Sequence, residues 1–279
     1  EECIPIQNPV GTAPGFIVED ERGTIITLPG VPREMRHLMK HVVVPYLEER
    51  LGQRDVMVTR TLRTVAVGES TVDRAIADLE ESSNPTVGLS AHPGQTDVRI
   101  VAKAPNRAEA ESLIADFEAR IRDRLGAAIY GTGDETLEAA IAGLLCQRNA
   151  TLAVAETLTL GEISRRLGLH PNAFQMGLVA TSPEDLARLL CVDAVTVAGE
   201  EGALRLAEGV RQAGSATYGL AAVMDDSGIP WVAVVSEAGA DSRKMRFRGH
   251  DHRARIWTTT LALEFFRRLL LGQADGWAA

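Results

Sequence analysis

The sequence predicts a mixed α/β and α+β fold in three pieces, from its length, its composition and its alternating strand and helix patterns. At 279 residues the chain is too long for one small core and fits two or three domains. Hydrophobic residues make up 45% of the chain and charged residues 24%, which suits a packed protein and leaves little room for disorder. We place the three pieces at residues 1–52, 55–131 and 135–274.

The first piece, residues 1–52, is expected to hold a turn, a strand and a helix. The loop NPVGTAPG contains Asn8, Gly11 and Thr12, and its backbone N–H groups could meet an anion, although Gly and Pro more often mark ordinary turns. The strand TIITLPG follows, and VPREMRHLMKHVVVPYLEERL has helical spacing with Pro32 in its first turn. A piece this short is interpreted as the end of a larger domain. Its apolar surface would pack on other domains or on a partner, so we expect a homo-oligomer.

The second piece, residues 55–131, alternates strands with helices. VMVTRTLRTVAV and DVRIVAKA have the period of strands, and AHPGQTD is typical of a hairpin turn. STVDRAIADLEE is predicted to be a helix with Ser70 as its N-cap, and NRAEAESLIADFEARIRDRLG a long amphipathic helix that Gly126 ends. These elements predict a small α+β sandwich.

The third piece, residues 135–274, contains a strand-to-helix junction that could form a functional site. ETLEAAIAGLLCQRN is predicted to be a helix, and ATLAVAE a compact apolar strand. Thr157 stands where this strand passes into the helix LGEISRRLG. A hydroxyl there could lie beside backbone N–H groups that hold a phosphate or a developing oxyanion. The alternative is an N-cap threonine, whose oxygen accepts one of those N–H bonds, and spacing alone favours this alternative.

Five segments in a fixed order carry a family resemblance: NPVGTAPGF, LPGVPREM, TRTLRTVAVGES, NPTVGLSA and LGAAIYGTGDETLEAAIAGLL. Together they resemble the competence/damage-inducible CinA family over nearly the whole chain. The resemblance implies the final part of a MogA-like, molybdopterin-binding α/β domain, then a KH-like α+β domain, then an α/β CinA domain, which is the nicotinamide-nucleotide amidase module. Asn8, Gly11 and Thr12 match surviving binding loops of the first domain. Because most of that domain's nucleotide pocket is not represented, the family's ADP-ribose pyrophosphatase activity is not expected.

The amidase motif A-E-S-x-T-G-G corresponds here to AETLTLG. The resemblance implies catalytic roles for Thr157 and Thr159, and substrate-binding roles for Glu156 and Gly161. Thr157 replaces the nucleophilic serine, and its extra methyl group restricts rotamers and approach. Leu160 replaces a glycine and puts a side chain where substrate would otherwise come close to the backbone.

A second amidase motif, G-x-V-A-Y-S-N-E-x-K, corresponds to GLVATSPEDL. Gly177 and Ser182 match it and are implied to bind substrate, whereas Thr181 replaces the tyrosine and Leu186 the lysine. In a Ser–Lys mechanism the amine takes the hydroxyl proton, and leucine has no atom that can do so. The general base is therefore missing from its expected position.

Two further segments are compared with segments of the family's amidase domain. VMDDSGIP lacks the glycines of the family's T-G-I-A-G-P loop, and Asp225 and Asp226 are interpreted as turn residues. The segment from Arg243 to Arg255 contains six basic residues against one acid, Asp251, and resembles the family's edge strand and final helix. Its charge could meet a nucleotide phosphate or an acidic subunit surface, or could protect an exposed edge strand, which is the commoner role.

The composition of the chain indicates which ligands and which cellular location to expect. Three distant cysteines and histidines without ligand spacing give no indication of a disulfide framework or a metal site, and no cofactor is expected. A formal charge of −9 disfavours nucleic acid as a partner. No apolar run approaches the roughly 20 residues of a membrane span, so we expect no membrane insertion and a cytoplasmic location.

Two functions follow from the sequence. The first is a CinA-like protein whose amidase site has degenerated into a binding, structural or regulatory module, with a pyridine nucleotide as the expected ligand. The second is an active amidase that converts nicotinamide mononucleotide to the acid and ammonia, with Thr157 as nucleophile. A family fold does not by itself establish the chemistry, so the site has to decide between them.

Overall fold

The computed structural model describes residues 2–52, 55–193, 199–224, 228–245 and 251–273. It has the mixed α/β character that the sequence predicts, with three sheets. The chain divides into two compact units, Glu1–Val58 with Lys103–Glu111, and Thr59–Ala102 with Ser112–Ala279. In the described part of the chain, no helix is both long enough and apolar enough to span a bilayer.

The first unit contains an antiparallel sheet of three strands in the order β1-β2-β3, followed by one long helical segment. The bounds are β1 Glu2–Ile6, β2 Gly15–Asp20, β3 Gly23–Thr27, α1 Pro32–Leu38, a π-helical turn Met39–Val43, and α2 Val44–Leu51. The π turn lies directly before Pro45, which has no N–H to continue a regular α-helical ladder. Ile6, Ile17, Leu38 and Val43 form the small core between sheet and helix.

The KH-like segment forms a four-stranded sheet in the order β5-β6-β4-β7 with two helices. Its elements are β4 Val56–Val65, α3 Glu69–Glu80, β5 Thr86–His92, β6 Gln95–Ala104, α4 Arg107–Leu125 and β7 Ile129–Thr132. The predicted hairpin is confirmed by the pairing of His92 with Gln95, and Gly126, with φ of 49°, ends α4 as predicted. The prediction of Ser70 as an N-cap is wrong, because the extended backbone that precedes α3 belongs to Gly68 and Ser70 lies inside the first turn.

The C-terminal segment forms a five-stranded sheet in the order β12-β11-β10-β8-β9. Its elements are α5 Leu137–Gln147, β8 Leu152–Glu156, α6 Glu162–Leu167, β9 Phe174–Val179, α7 Pro183–Leu189, α8 Gly199–Ala213, β10 Tyr218–Met224, β11 Pro230–Ser236, β12 Gly239–Lys244 and α9 His252–Leu270. Strand β8 runs parallel to both of its neighbours, β9 and β10, whereas β10, β11 and β12 are antiparallel. Strand β12 forms one border of this sheet, whereas residues 246–250, most of the segment in which the edge strand is predicted, lie outside the described residues.

Both faces of this sheet are covered, so β8 is buried along its whole length. Leu152 and Val154 face the cluster that includes α5 and α9, and Ala153 and Ala155 face the cluster that includes α7 and α8. Helix α8 lies so close to β10 that a Cβ atom on Gly219 would overlap the carbonyl oxygen of Ala207. The small residues of the sheet therefore set the distance between sheet and helix.

The β5–β6 hairpin contacts α9 within the second compact unit. A Cβ atom on Gly94 would come within 2.9 Å of Thr260 Cγ2. Beside this contact, buried Asp97 accepts a hydrogen bond from Arg63 at 2.5 Å, and Gln95 donates to the Tyr130 hydroxyl at 3.2 Å. Burial, together with the nearby charge of Asp97, raises the pKa of Tyr130 to about 12.

Two glycine substitutions test the close approach of α8 to the sheet. Gly219→Ala should lower the free energy of unfolding by about 1–3 kcal/mol, because the added methyl group meets backbone rather than a movable side chain. Gly143→Ala, on an exposed face of α5 with nothing near its Cβ position, should instead raise that free energy by about 0.5–1 kcal/mol. Urea denaturation followed by circular dichroism measures both, and equal effects would contradict the packing described.

The raised pKa of Tyr130 makes stability depend on pH in the alkaline range. An unfolded tyrosine ionises near pH 10, whereas folded Tyr130 ionises at about 12. Between those values the folded state binds more protons, so the stability that is fully present below pH 10 is lost as pH rises. A spectrophotometric titration should show a tyrosine ionisation near pH 12. Tyr130→Phe should remove that step, and a titration of the parent protein without it would contradict the prediction.

Candidate active site

The candidate site lies where the carboxyl end of β8 passes into α6. In open α/β sheets, ligands bind outside the carboxyl ends of the parallel strands, and β8 is the central strand of the three that run parallel here. Residues 157–160 form a bend, and Gly161, with φ of 87°, is the N-cap of α6. The bend brings the predicted residues Glu156, Thr157, Thr159 and Gly161 together.

The Glu156 carboxylate is the structural centre of this bend. It has no exposed surface and accepts four hydrogen bonds, two from backbone N–H groups and two from hydroxyl groups. Its donors are Thr159 Oγ1 at 2.6 Å, Ile163 N at 3.0 Å, Ser164 N at 2.8 Å and Ser164 Oγ at 2.5 Å. These bonds satisfy both carboxylate oxygens and the first turn of α6, which offsets the cost of burying the charge. Glu156 and Thr159, predicted to act on substrate, are thus bonded to each other.

Thr157 differs from its neighbours because its hydroxyl is unpaired. The side chain is 6% exposed, and Oγ1 has no hydrogen-bond partner among the described residues. Its backbone N–H donates to the carbonyl of Ala222 on β10 at 3.1 Å. The N-cap alternative for Thr157 is wrong, because α6 begins only after the bend and Gly161 holds the N-cap position. A buried hydroxyl without a partner costs free energy and is rare in native proteins.

Leu160, which replaces a glycine of the family motif, adopts a backbone conformation that strains a branched side chain. Its φ is 48°, in the left-handed region, and its side chain is 49% exposed. It lines a cleft of about 170 Å³ whose other walls include Gly161, Glu162, Arg165 and Arg255. The leucine side chain therefore stands at the entrance that glycine would leave open.

The charge in this cleft is net positive. Arg165 pairs with Glu162 at 2.7 Å and lowers the pKa of that carboxyl group. Arg255, partly buried at the start of α9, forms no ion pair with any described residue, and His252 lies beside it. A guanidinium that lacks a carboxylate partner favours an anionic group in the cleft.

The residues of the second motif serve the fold around this site. Ser182 is the N-cap of α7, where its Oγ accepts from Asp185 N at 3.1 Å and donates to the Asp185 carboxylate at 2.8 Å. Gly177 on β9 allows α6 to approach, because a Cβ atom there would lie 2.7 Å from Ser164 Cβ. Thr181, at the tyrosine position, is exposed at the end of β9.

Leu186, at the lysine position, lies in the core. It has no exposed surface and packs in the apolar cluster that contains Ala155, Ala203 and Leu206. The position at which the sequence motif predicts a general base therefore holds an apolar side chain in contact with other apolar side chains. A lysine in the same orientation would bury its ammonium group among them, at a cost of several kcal/mol.

The remaining predicted binding residues lie in the other compact unit. Asn8 Nδ2 donates to Ala13 O at 2.9 Å and to Glu34 Oε2 at 2.6 Å, and Val10 N donates to Asn8 Oδ1 at 3.2 Å. A Cβ atom on Gly11 would overlap the Glu34 carboxylate, whereas Thr12 is exposed. The loop thus faces a carboxylate of its own helix α1 and not a free space for an anion.

Some of the residues singled out in the sequence lie outside the described ranges. Asp225 and Asp226 lie outside them, as do residues 246–250 of the basic segment. Within the described ranges, Asp251 is the N-cap of α9 and accepts from Ala254 N at 2.7 Å. The same ranges contain no group of His, Cys, Asp and Glu side chains that could hold a metal ion.

Sequence reasoning missed Ser164 and Arg255. Ser164 supplies two of the four hydrogen bonds to Glu156, and Arg255 supplies the unpaired charge of the cleft. The position of Ser164, in the first turn of a helix and eight residues after a strand-terminal glutamate, is a sequence pattern that could have indicated its role. No local pattern links Arg255 to the site, because it is ninety-eight positions beyond Thr157 and lies in a segment with several other basic residues.

Three protein-family models match this chain, and the bend and the cleft lie within the range of the C-terminal one. The models are described as "Probable molybdopterin binding domain", matching residues 3–49, "Damage-inducible protein CinA KH domain", matching 59–131, and "CinA C-terminal domain", matching 134–270. A CinA-like protein from Frankia casuarinae is 40% identical over 293 aligned residues, which cover 98% of this chain and 68% of that protein. The chain belongs to the CinA family, as the sequence motifs predict.

Two solved structures each align with half of this chain. A competence-damaged protein (CinA) superfamily protein from Klebsiella pneumoniae is 21% identical, with a TM-score of 0.43, over 50% of this chain and 97% of that one. A competence or damage-inducible protein from Enterobacter asburiae is 22% identical, with a TM-score of 0.42, over 50% of this chain and 99% of that one.

Two glutamate variants test the role of the buried carboxylate. Glu156→Gln replaces an acceptor of four hydrogen bonds by an amide whose NH₂ group faces donors, and should lower the free energy of unfolding by about 3 kcal/mol. Glu162→Gln, six positions later, removes only a surface ion pair and should cost less than about 1 kcal/mol. Chemical denaturation measures both variants, and a Glu156→Gln protein as stable as Glu162→Gln would show that the carboxylate does not organise α6.

Proposed function

We propose that this chain is a CinA-family protein whose C-terminal domain does not hydrolyse amides and serves as a binding module for a phosphate-bearing pyridine nucleotide. The observation that carries the proposal is the burial of Leu186 in the core, at the position where the family motif has its lysine. The proposal therefore rests on the lack, among the described residues, of a group that could take the proton of the Thr157 hydroxyl.

A hydroxyl nucleophile needs a base within hydrogen-bond reach. Thr157 Oγ1 has no such partner among the described residues. The neighbouring Glu156 carboxylate is already engaged by four donors, and Thr159 uses its hydroxyl proton to bond that carboxylate. Each side chain that the motif would assign to proton transfer is thus either apolar or already hydrogen-bonded.

The cleft beside Leu160 supports the binding part of the proposal. Its volume of about 170 Å³ is small for a ligand pocket, which usually measures roughly 300–1,000 Å³. It suits a phosphate-sized anion held by Arg255, with the rest of a nucleotide extending outside. Leu160 occupies part of the space next to the backbone, where the reacting carboxamide would have to approach.

A second candidate function is amidase activity with Thr157 as the nucleophile. The unpaired, nearly buried hydroxyl favours it, because groups of this kind are rare and cluster at functional sites. In that reaction Oγ1 would attack the carboxamide carbon, ammonia would leave, and water would hydrolyse the resulting ester. The base that accepts the hydroxyl proton is not among the described residues near Thr157.

Ammonia release from nicotinamide mononucleotide separates the two functions. We expect no release above the enzyme-free rate, either by the parent protein or by Thr157→Val, which replaces the hydroxyl with a methyl group of similar size. Release by the parent that is lost in Thr157→Val would establish a threonine nucleophile and overturn the proposal. Release that persists in the variant would also overturn it and would place the chemistry on another residue.

Calorimetric titration with the same nucleotide tests the binding module. Arg255→Gln should weaken binding by about tenfold, since a charge-assisted hydrogen bond is lost. Arg188→Gln removes the same charge from an exposed position outside the cleft and should leave binding unchanged. If the parent protein shows neither binding nor turnover, both candidate functions are excluded for this ligand.

A further inference from the structure

A second cleft, of about 350 Å³, lies on the other side of α9. Its walls come from three elements of the second compact unit: residues 67–69 at the start of α3, the β5–β6 hairpin, and Arg253 and Trp257 on α9. Arg253 and Trp257 are four positions apart and share a face of α9, whereas Arg255 and Ile256 line the cleft beside Leu160. The two clefts have no lining residue in common.

The chemistry of this cleft is aromatic and carries charges of both signs. Trp257 contributes a partly buried indole ring. Arg253 and Glu69 are both exposed, and neither forms an ion pair with a described residue. His92 also lines the cleft, with Nε2 3.3 Å from Asp97 Oδ2. An aromatic surface flanked by a guanidinium and a carboxylate matches a flat ring that has an anionic group and a hydrogen-bond donor.

The walls of the cleft are held in place by hydrogen bonds within the KH-like sheet. Thr64 Oγ1 donates to Thr96 O at 2.5 Å, and Thr96 Oγ1 donates to Val67 O at 3.3 Å. Ala66 N donates to Gly94 O at 3.0 Å, and Gly94 in turn lies against Thr260 of α9. A preformed pocket spares a ligand the cost of ordering loops on binding.

We propose that this cleft binds a purine mononucleotide. The base would stack on Trp257, an exocyclic amine would donate to Glu69, and the phosphate would pair with Arg253. The volume of the cleft is within the range of small-molecule sites. This site is separate from the β8–α6 junction and does not depend on whether that junction binds or hydrolyses a pyridine nucleotide.

Calorimetry with adenosine 5′-monophosphate tests the proposal on the whole chain. We expect saturable binding that Arg253→Gln weakens by about tenfold, since the guanidinium–phosphate bond is lost. Arg74→Gln, which removes an exposed arginine of α3 outside the cleft, should have no effect. Glu69→Gln should weaken adenosine monophosphate more than inosine monophosphate, because only the adenine ring carries the exocyclic amine.

Three results would overturn the proposal. The first is no saturable binding by the parent protein at millimolar nucleotide, and the second is binding of ribose 5-phosphate as tight as that of the nucleotide, which would exclude stacking on Trp257. The third is loss of binding in Arg255→Gln but not in Arg253→Gln, which would place the nucleotide in the other cleft. All substituted side chains are exposed or partly exposed, and circular dichroism verifies that each variant is folded.

Discussion

The arrangement of the C-terminal domain around its candidate site depends on one buried carboxylate. Glu156 ends β8, the middle one of the three parallel strands, and four donors from the bend and from α6 surround it. An uncompensated charge in this position would cost several kcal/mol, so strand, bend and helix have to keep their relative positions for the fold to be stable. The left-handed backbone at Leu160 and the close approach of α6 to Gly177 are consistent with that requirement.

The hydrogen bonds of Glu156 shape the bend and occupy side chains to which the motif assigns roles in the reaction. The bonds that shape the bend use the oxygens of Glu156 and the hydroxyl of Thr159, whereas Thr157 Oγ1 has no partner among the described residues. Leu186, at the position where the sequence motif predicts a lysine, instead adds an apolar side chain to the core. A domain of this kind can keep the family fold without keeping the family reaction, which is why fold alone does not establish activity.

A second buried polar cluster ties α9 to the end of the KH-like segment. Glu264, with no exposed surface, accepts from Arg267 at 2.7 and 2.9 Å and from Arg268 at 2.6 Å. Arg267 also donates to the carbonyl of Ala127, just before β7. Because a buried ion pair is stable only when its geometry is well satisfied, this cluster fixes the helix that lines both clefts.

Much of the architecture was predictable because its signals are local. The helical spacing of residues 107–125, the hairpin around Gly94 and the apolar strand before Glu156 are properties of neighbouring residues, and the structure contains each of them. The two capping predictions failed for a local reason as well. A serine or threonine caps a helix only when it occupies the N-cap position itself. That position belongs to Gly68, with an extended backbone, before α3, and to Gly161, with a left-handed backbone, before α6.

The sequence by itself determined the order of the elements, the family and the chemical type of each site residue, since periodicity and motifs depend on neighbours along the chain. Only the tertiary structure decided which of those side chains are buried, which are hydrogen-bonded to other residues and which face a cleft. Ser164 bonds Glu156, Leu186 packs into the core, and Arg255 reaches the cleft from a distant helix. Burial and hydrogen-bond partners come from residues far apart in the sequence, so no local pattern could specify them.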